Sequence, residues 1–268
     1  MPSDLSPQAL ERLNSMKGSA GNPAFFTSDL SVNEFLLVKE AGFDAVGMVL
    51  GSSIYHIGYQ QRNWNKNQEM EVLTQAMYHA RELAMTRMEE EAEALGADGI
   101  IGVRLDIKLL EWGESLAEFV AIGTAVVARD KSTNFRTVHN KPFTSDLSGQ
   151  DFWTLLRSGY RPVGLVMGNC VYHIAHQSLG QVLRNAGQNV EMTNFTQALY
   201  DSRELAMERM QEEALHLSAN GIVGVEIEEG SFGWSSHVIE FNAIGTAVIS
   251  YREDHVIPTP QLILNVND

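Results

Sequence analysis

A single cysteine, Cys170, in 268 residues excludes an intrachain disulfide and any cage of thiolates built within one chain. Positive charge is scarce too: 19 Lys and Arg stand against 34 Asp and Glu, a formal net charge of −15. No cluster of Lys and Arg relieves that field locally, so nucleic acid and anionic membrane are not expected as partners. The longest apolar runs are far too short to cross a bilayer. No charged stretch leads into an apolar one at the start, which argues against a secretion signal. These absences point to a reduced, cytoplasmic, soluble protein.

What the chain has is itself, twice. Phe26-Thr27-Ser28-Asp29-Leu30-Ser31 returns as Phe143-Thr144-Ser145-Asp146-Leu147-Ser148, and Tyr55-His56-Ile57 as Tyr172-His173-Ile174. Arg81-Glu82-Leu83-Ala84-Met85 returns as Arg203-Glu204-Leu205-Ala206-Met207, and Ile122-Gly123-Thr124-Ala125-Val126 as Ile244-Gly245-Thr246-Ala247-Val248. The offset grows from 117 to 122 residues between the second and third of these matches, so the second copy carries one short insertion. The copies occupy residues 25–130 and 142–252; residues 1–24, 131–141 and 253–268 read as tails and a polar linker.

Within a copy, Ser31-Val32-Asn33-Glu34 fits a capping box, with Gly42 placed for a left-handed helix end; Ser148, Asp151 and Gly159 repeat the arrangement. A β-rich segment from Ala45 predicts a strand that leaves through a turn bounded by Gly51. A polar loop follows, with room for a short helix near Leu179–Leu183 in the second copy. Leu73, Met77, Ala80, Ala84, Met88, Glu91 and Leu95 recur at three- and four-residue steps, which predicts a long helix with a stripe; Ser218 replaces the capping Gly96 in the second copy. Two strands, Gly99–Leu105 and Ala117–Val127, complete the unit. The predicted class is α+β: two tandem repeats, each a small antiparallel sheet with a β-α-β-β core on one long helix, preceded by a short helix. Three strands leave open sheet edges, for which association is the expected remedy.

These segments resemble the YbjQ-like family, often labelled "putative heavy-metal-binding". The likeness runs through Gly47–Gly51 (Gly164–Gly168), Arg81–Leu95 (Arg203–Leu217), Ala97-Asp98-Gly99-Ile100-Ile101-Gly102-Val103 with its counterpart from Ala219, and the Gly-Thr-Ala-Val ending. The resemblance implies a dodecin-like core that assembles into a pentameric ring with sheet edges meeting between subunits, and no established catalytic residues. Two-domain chains cannot fill one five-membered ring, so five chains forming two stacked rings is the expected closed solution.

His56 and His173 are the only histidines at matched positions and the metal candidates; His176 follows one of them. One histidine per repeat is too few for a divalent ion unless copies converge, and a hydrogen-bonded turn histidine is the plainer reading. Glu91 and Glu213 fall on the apolar stripe, with Arg87 and Arg209 four residues earlier as expected partners. Arg81, Arg203, Glu91, Glu213, Ala84 and Ala206 are the candidates for an oligomer interface. Glu118 and Glu240 read as solvent-facing strand carboxylates, and the matched Trp112 and Trp234 as packing residues, with flat-ligand stacking as the alternative. Cys170 has Ser53 in its place in the first copy, and a nucleophile would need a positioned base; His173 lies three residues on, but spacing alone does not position it, so no nucleophile is expected there. The glycines match no phosphate loop. The expected protein is a non-enzymatic, self-assembling ring, cage or scaffold, with itself as partner; the alternative is a binder of a metal ion or small ligand at subunit junctions.

Overall fold

The computed structural model describes residues 5–18, 23–56, 66–109, 116–175, 191–231 and 237–254. Thirteen elements run in the order α1 (Pro7–Met16), α2 (Val32–Glu40), β1 (Phe43–His56), β2 (Gln68–Glu69), α3 (Glu71–Leu95), β3 (Gly99–Leu109), β4 (Leu116–Ala128), β5 (Phe143–Thr144), α4 (Gly149–Arg157), β6 (Tyr160–His173), α5 (Thr193–His216), β7 (Gly221–Ser231) and β8 (Val238–Ser250). The class is α+β in two repeated units, each with a long helix across an antiparallel sheet. His176, the proposed helix near residues 179–183, both matched tryptophans and the final residues from 255 lie outside the described residues.

The capping box at Ser31 is complete. Ser31 Oγ accepts from Glu34 N and the Glu34 carboxylate accepts from Ser31 N, a pair that holds the Glu34 carboxyl below its usual range. Gly42 and Gly159 turn the chain out of α2 and α4 at φ 91° and 84°. The first long helix ends the same way at Gly96, φ 75°, but Ser218 must adopt φ 57° with a side chain. Ser218→Gly should therefore stabilise the chain by about 1 kcal/mol, read as a higher midpoint in thermal unfolding. A midpoint equal to or below the parent's would show that the cap is unstrained.

The turn expected at Gly51 does not form; β1 continues through it to His56. The glycine answers a different need. Its Cα lies against α3, where a Cβ would overlap the Ala84 carbonyl oxygen and approach Met88 N to 2.6 Å; Gly168 meets Ala206 and Met210 in the same way. Ala84 and Ala206 are thereby buried inside their own repeats against β1 and β6. This corrects their assignment as interface residues: the helix stripe needs small residues because the strand comes so close.

The repeated Phe-Thr-Ser-Asp-Leu-Ser segment is a strap that ties each sheet. Thr27 Oγ1 accepts from Met48 N, while Ser28 and Asp29 hydrogen-bond the Thr124 hydroxyl of β4. Thr144, Ser145, Asp146 and Thr246 repeat the arrangement. The strap thus links two motifs nearly one hundred residues apart, and explains the threonine of Gly-Thr-Ala-Val.

Among the described residues each sheet has four strands, one more than expected. Their orders are β1-β4-β3-β5 and β2-β6-β8-β7, so each repeat lends a two-residue strand to the other's sheet. β5 pairs parallel with β3, and β2 pairs antiparallel with β6. Among the described residues an apolar core lies between helix and sheet in each repeat, the first reaching across to Val171 and Val238 of the second, and a further core around Phe43, Phe143 and Phe152 also joins the repeats.

The flanking segments are built in as well. Phe135 of the connector is buried in the third core, and Arg136 donates to Ala97 O at 2.6 Å, so residues 131–141 are no loose tether. Helix α1, in the segment read as a tail, buries Leu13 and Met16 against the first repeat.

Candidate functional site

The seam between the repeats concentrates the charged and polar groups that the sequence singles out. Its geometry begins with α3, whose outer face lies along the edge of β6. Tyr78 Oη donates to Met167 O at 2.9 Å, Met70 N donates to Val171 O at 2.8 Å, and Val171 N donates to Thr74 Oγ1 at 3.1 Å. Backbone groups that would leave β6 as an open sheet edge are satisfied this way.

Arg81 is 3% exposed and reaches across to Glu213 Oε1 at 2.6 Å. Burial works against its charge, but the Glu213 carboxylate, with Glu82 and Tyr78 adding to it, holds the guanidinium above its ordinary value. Burial, with the Glu213 charge adding to it, pushes the neighbouring Tyr78 phenol up to about 12. Glu213 Oε2 accepts from Met167 N at 2.8 Å, so one carboxylate ties α5, β6 and the other repeat's helix together. A second bridge runs in the reverse sense: Arg209 of α5 binds both oxygens of Glu69, at 2.7 and 2.9 Å, and donates to Asn169 O.

Arg209 and Glu213 therefore do not pair with each other, contrary to the four-residue spacing. In the first repeat Arg87 likewise turns to Ser52 O at 2.5 Å, and Glu91 is held by Arg12 of α1 at 2.5 Å and by Leu50 N at 2.9 Å. Both guanidiniums find a strand carbonyl above them, and each stripe carboxylate caps a strand amide that the local ladder leaves over. Arg203, the counterpart of Arg81, is 41% exposed and bonds its neighbour Glu204.

The metal candidates part company. His56 ends β1 and is exposed; His173 is buried beneath β2, with Nδ1–H donating to Lys66 O at 3.2 Å. Among the described residues no three His, Cys, Asp or Glu side chains converge to hold an ion. Cys170 is buried too, and burial, helped by the Glu69 charge, pushes its thiol up to about 12, so it is no thiolate at neutral pH. Glu240, read as solvent-facing, instead accepts from Asn169 and Asn242 in a largely buried network, and burial raises its carboxyl. Sequence reasoning missed Arg12, Glu69, Asn169 and Asn242. Only Glu69 carried a signal, its match to Glu191.

Replacing Arg81 by Ala should cost about 3 kcal/mol, the lower end for breaking a buried pair, because the Glu213 side chain is 29% exposed and keeps its bond to Met167 N. Glu82→Ala, which removes the solvent-facing partner of the same guanidinium, should stay within about 1 kcal/mol. Chemical denaturation of both variants checks this; equal losses would mean that the Arg81–Glu213 bridge adds nothing to the seam.

Comparison with known proteins gives the following. The model of the YbjQ family, described as "putative heavy-metal-binding", matches residues 66–129 and 159–251. Over 98% of this chain and 97% of the other, the sequence is 48% identical to a protein of Mycobacterium tuberculosis named as an encapsulin nanocompartment protein. Shorter relatives match about a third of the chain: a UPF0145 protein of Clostridium perfringens, 43% identical over 89 residues and 82% of its length, and one of Halorubrum lacusprofundi, 38% identical over 106 residues and 99% of its length. The first family match starts after β1, although β1 has the same length as β6, which the second match includes, and pairs with β4 as β6 pairs with β8.

Proposed function

The chain belongs to the YbjQ family, whose domain it carries in tandem, and we propose that it is a non-enzymatic protein that assembles with copies of itself into a ring, cage or scaffold. The observation that carries this reading is the seam: one repeat completes the other's sheet and receives its buried Arg81, so contact with a second domain is part of how this domain is finished. Whole-length likeness to a protein named as a nanocompartment component supports the same reading. Among the described residues no helix is long and apolar enough to cross a membrane.

The pentamer implied by the family's ring is the finer part of the proposal. Native mass spectrometry of protein purified without added metal or chelator tests both levels. Assembly predicts a multiple of 29.7 kDa, and five chains predict five times that value. A monomer at micromolar concentration would remove the self-assembly reading, and another multiple would remove only the pentamer.

The alternative, a small ligand at a domain junction, has one observation in its favour. A cavity of ≈ 430 Å³ opens beside the seam, lined in part by Tyr78, Arg81, Glu89, His139, Glu213 and His216. The same spectrum tests it, since a bound ligand would appear as a resolved mass excess on every chain.

A further inference from the structure

The seam has two faces, and the repeat places a second copy of each at the far sides of the chain. Repeat one contributes the outer face of α3 and the edge of β3. Repeat two contributes the edge of β6, the carboxylate and guanidinium of α5, and its strap. By the match between copies, repeat two must carry the first face again, and repeat one the second.

Along the strand edge, the helix tyrosine and the strap, the predicted counterpart is exposed where its twin is covered; Glu91 is the exception, buried beneath Arg12 of α1 at 3% exposure. Among the described residues β1 and β7 end their sheets, while the equivalent β6 and β3 are covered by β2 and β5. Val171 of β6 is fully buried, but Ile54 at its place in β1 is 55% exposed. Tyr78 is bonded across the seam, but Tyr200 on α5 is 53% exposed. Phe143 and Phe152 stack at 5.9 Å beneath Phe43, whereas Phe26 and Phe35 stack at 5.3 Å with Phe26 47% exposed; Tyr160, the counterpart of Phe43, is 41% exposed. Gly99 is covered by the Phe143 ring, while a Cβ on Gly221 would meet nothing within 4 Å. Gly221 opens onto a groove of ≈ 450 Å³ formed with Met207, Leu215, Ile222 and Val225.

At one of the two bridges the charges are complementary in the same register. Arg209 has Glu69 from the other repeat; Arg87, its counterpart, has Ser52 O alone among the described residues, and Glu191, the counterpart of Glu69, is exposed. Glu213 Oε1 takes Arg81, whereas Glu91, its counterpart, is 3% exposed and receives its guanidinium from Arg12 of α1 in the same chain.

We propose that repeat two of one chain docks on repeat one of a second copy through a replica of the internal seam, with Glu191 on Arg87 and the strap phenylalanine Phe26 over Gly221. This rests on the self-assembly reading and specifies its geometry: a heterologous, head-to-tail contact in which the two repeats alternate. A ring built this way holds an even number of repeats and closes only where the rotation across the seam divides a full turn into that number; it replaces two stacked rings of unlike repeats.

The test uses two variants of the full chain, each blocking one face at an exposed position. Ile54→Asp leaves only the α5 face, and Tyr200→Asp leaves only the β1 face. By native mass spectrometry each variant alone should be monomeric, and their mixture should give a species of twice 29.7 kDa and nothing larger. Independently, Arg87→Glu and Glu191→Arg should each abolish the parent assembly, and the double variant should restore it. Variants that assemble like a self-assembling parent place the contact elsewhere and overturn this inference while the assembly reading stands. A mixture that stays monomeric while the charge swap also fails overturns it too. A monomeric parent overturns both.

Discussion

Phe152→Ala is expected to destabilise the chain by about 3–5 kcal/mol, the range for emptying a buried phenylalanine site. Its ring is fully buried, set edge-on to Phe43 at 5.1 Å and stacked with Phe143 at 5.9 Å. These three rings come from both repeats, and backbone bonds across the seam flank them: Phe143 N donates to Asp98 O and Ser145 N to Ile100 O. The cavity cannot collapse without moving the strap or α4, which argues for the upper half of the range. Phe35 is the matched ring in repeat one, and its main ring contact is Phe26. Phe35→Ala in the dissociated chain should lose only the pair interaction and limited burial, about 0.5–1.5 kcal/mol. Denaturant melts of the two variants decide it; equal losses would contradict a core shared between repeats.

Gly168→Ala should be the second severe change, although it adds a single methyl group. That Cβ would overlap the Ala206 carbonyl oxygen and lie 2.8 Å from Met210 N, so backbone must give way and no rotamer can relieve the clash. Overpacking a core typically costs about 1–3 kcal/mol, and this case belongs at or beyond its upper end. Gly230→Ala, whose Cβ would meet Glu240 only at 4.0 Å, is the control and should be within about 0.5 kcal/mol. Thermal unfolding compares them. A mild loss at Gly168 would mean that α5 is free to lift from β6.

The glycine at 51, with its twin at 168, shows what a sequence conveys and what it withholds. Its presence in both copies marks a backbone constraint, but turn and close approach leave the same letter. Similarly, Glu91 and Glu213 on an apolar stripe announce that a carboxylate needs partners. Which partners is a matter of what packs on top, and there the copies diverge: α1 supplies Arg12 to one, and the other repeat supplies Arg81 to the second. The histidines behave likewise. His56 and His173 are indistinguishable by motif, yet one is exposed and the other lies beneath β2, because among the described residues only the second repeat has a neighbour on that side.

From the sequence alone follow the duplication, the long helices with their stripe, the serine caps of α2 and α4, the α+β class and the family. All of these rest on local periodicity and on self-similarity, which chain order preserves. The tertiary structure alone decided the exchange of β2 and β5 between sheets, the docking of α1, the partners of the stripe carboxylates and the asymmetry between exposed and buried twins. Those depend on contacts between distant segments, where identical local sequence meets different surroundings, and free energy follows the surroundings.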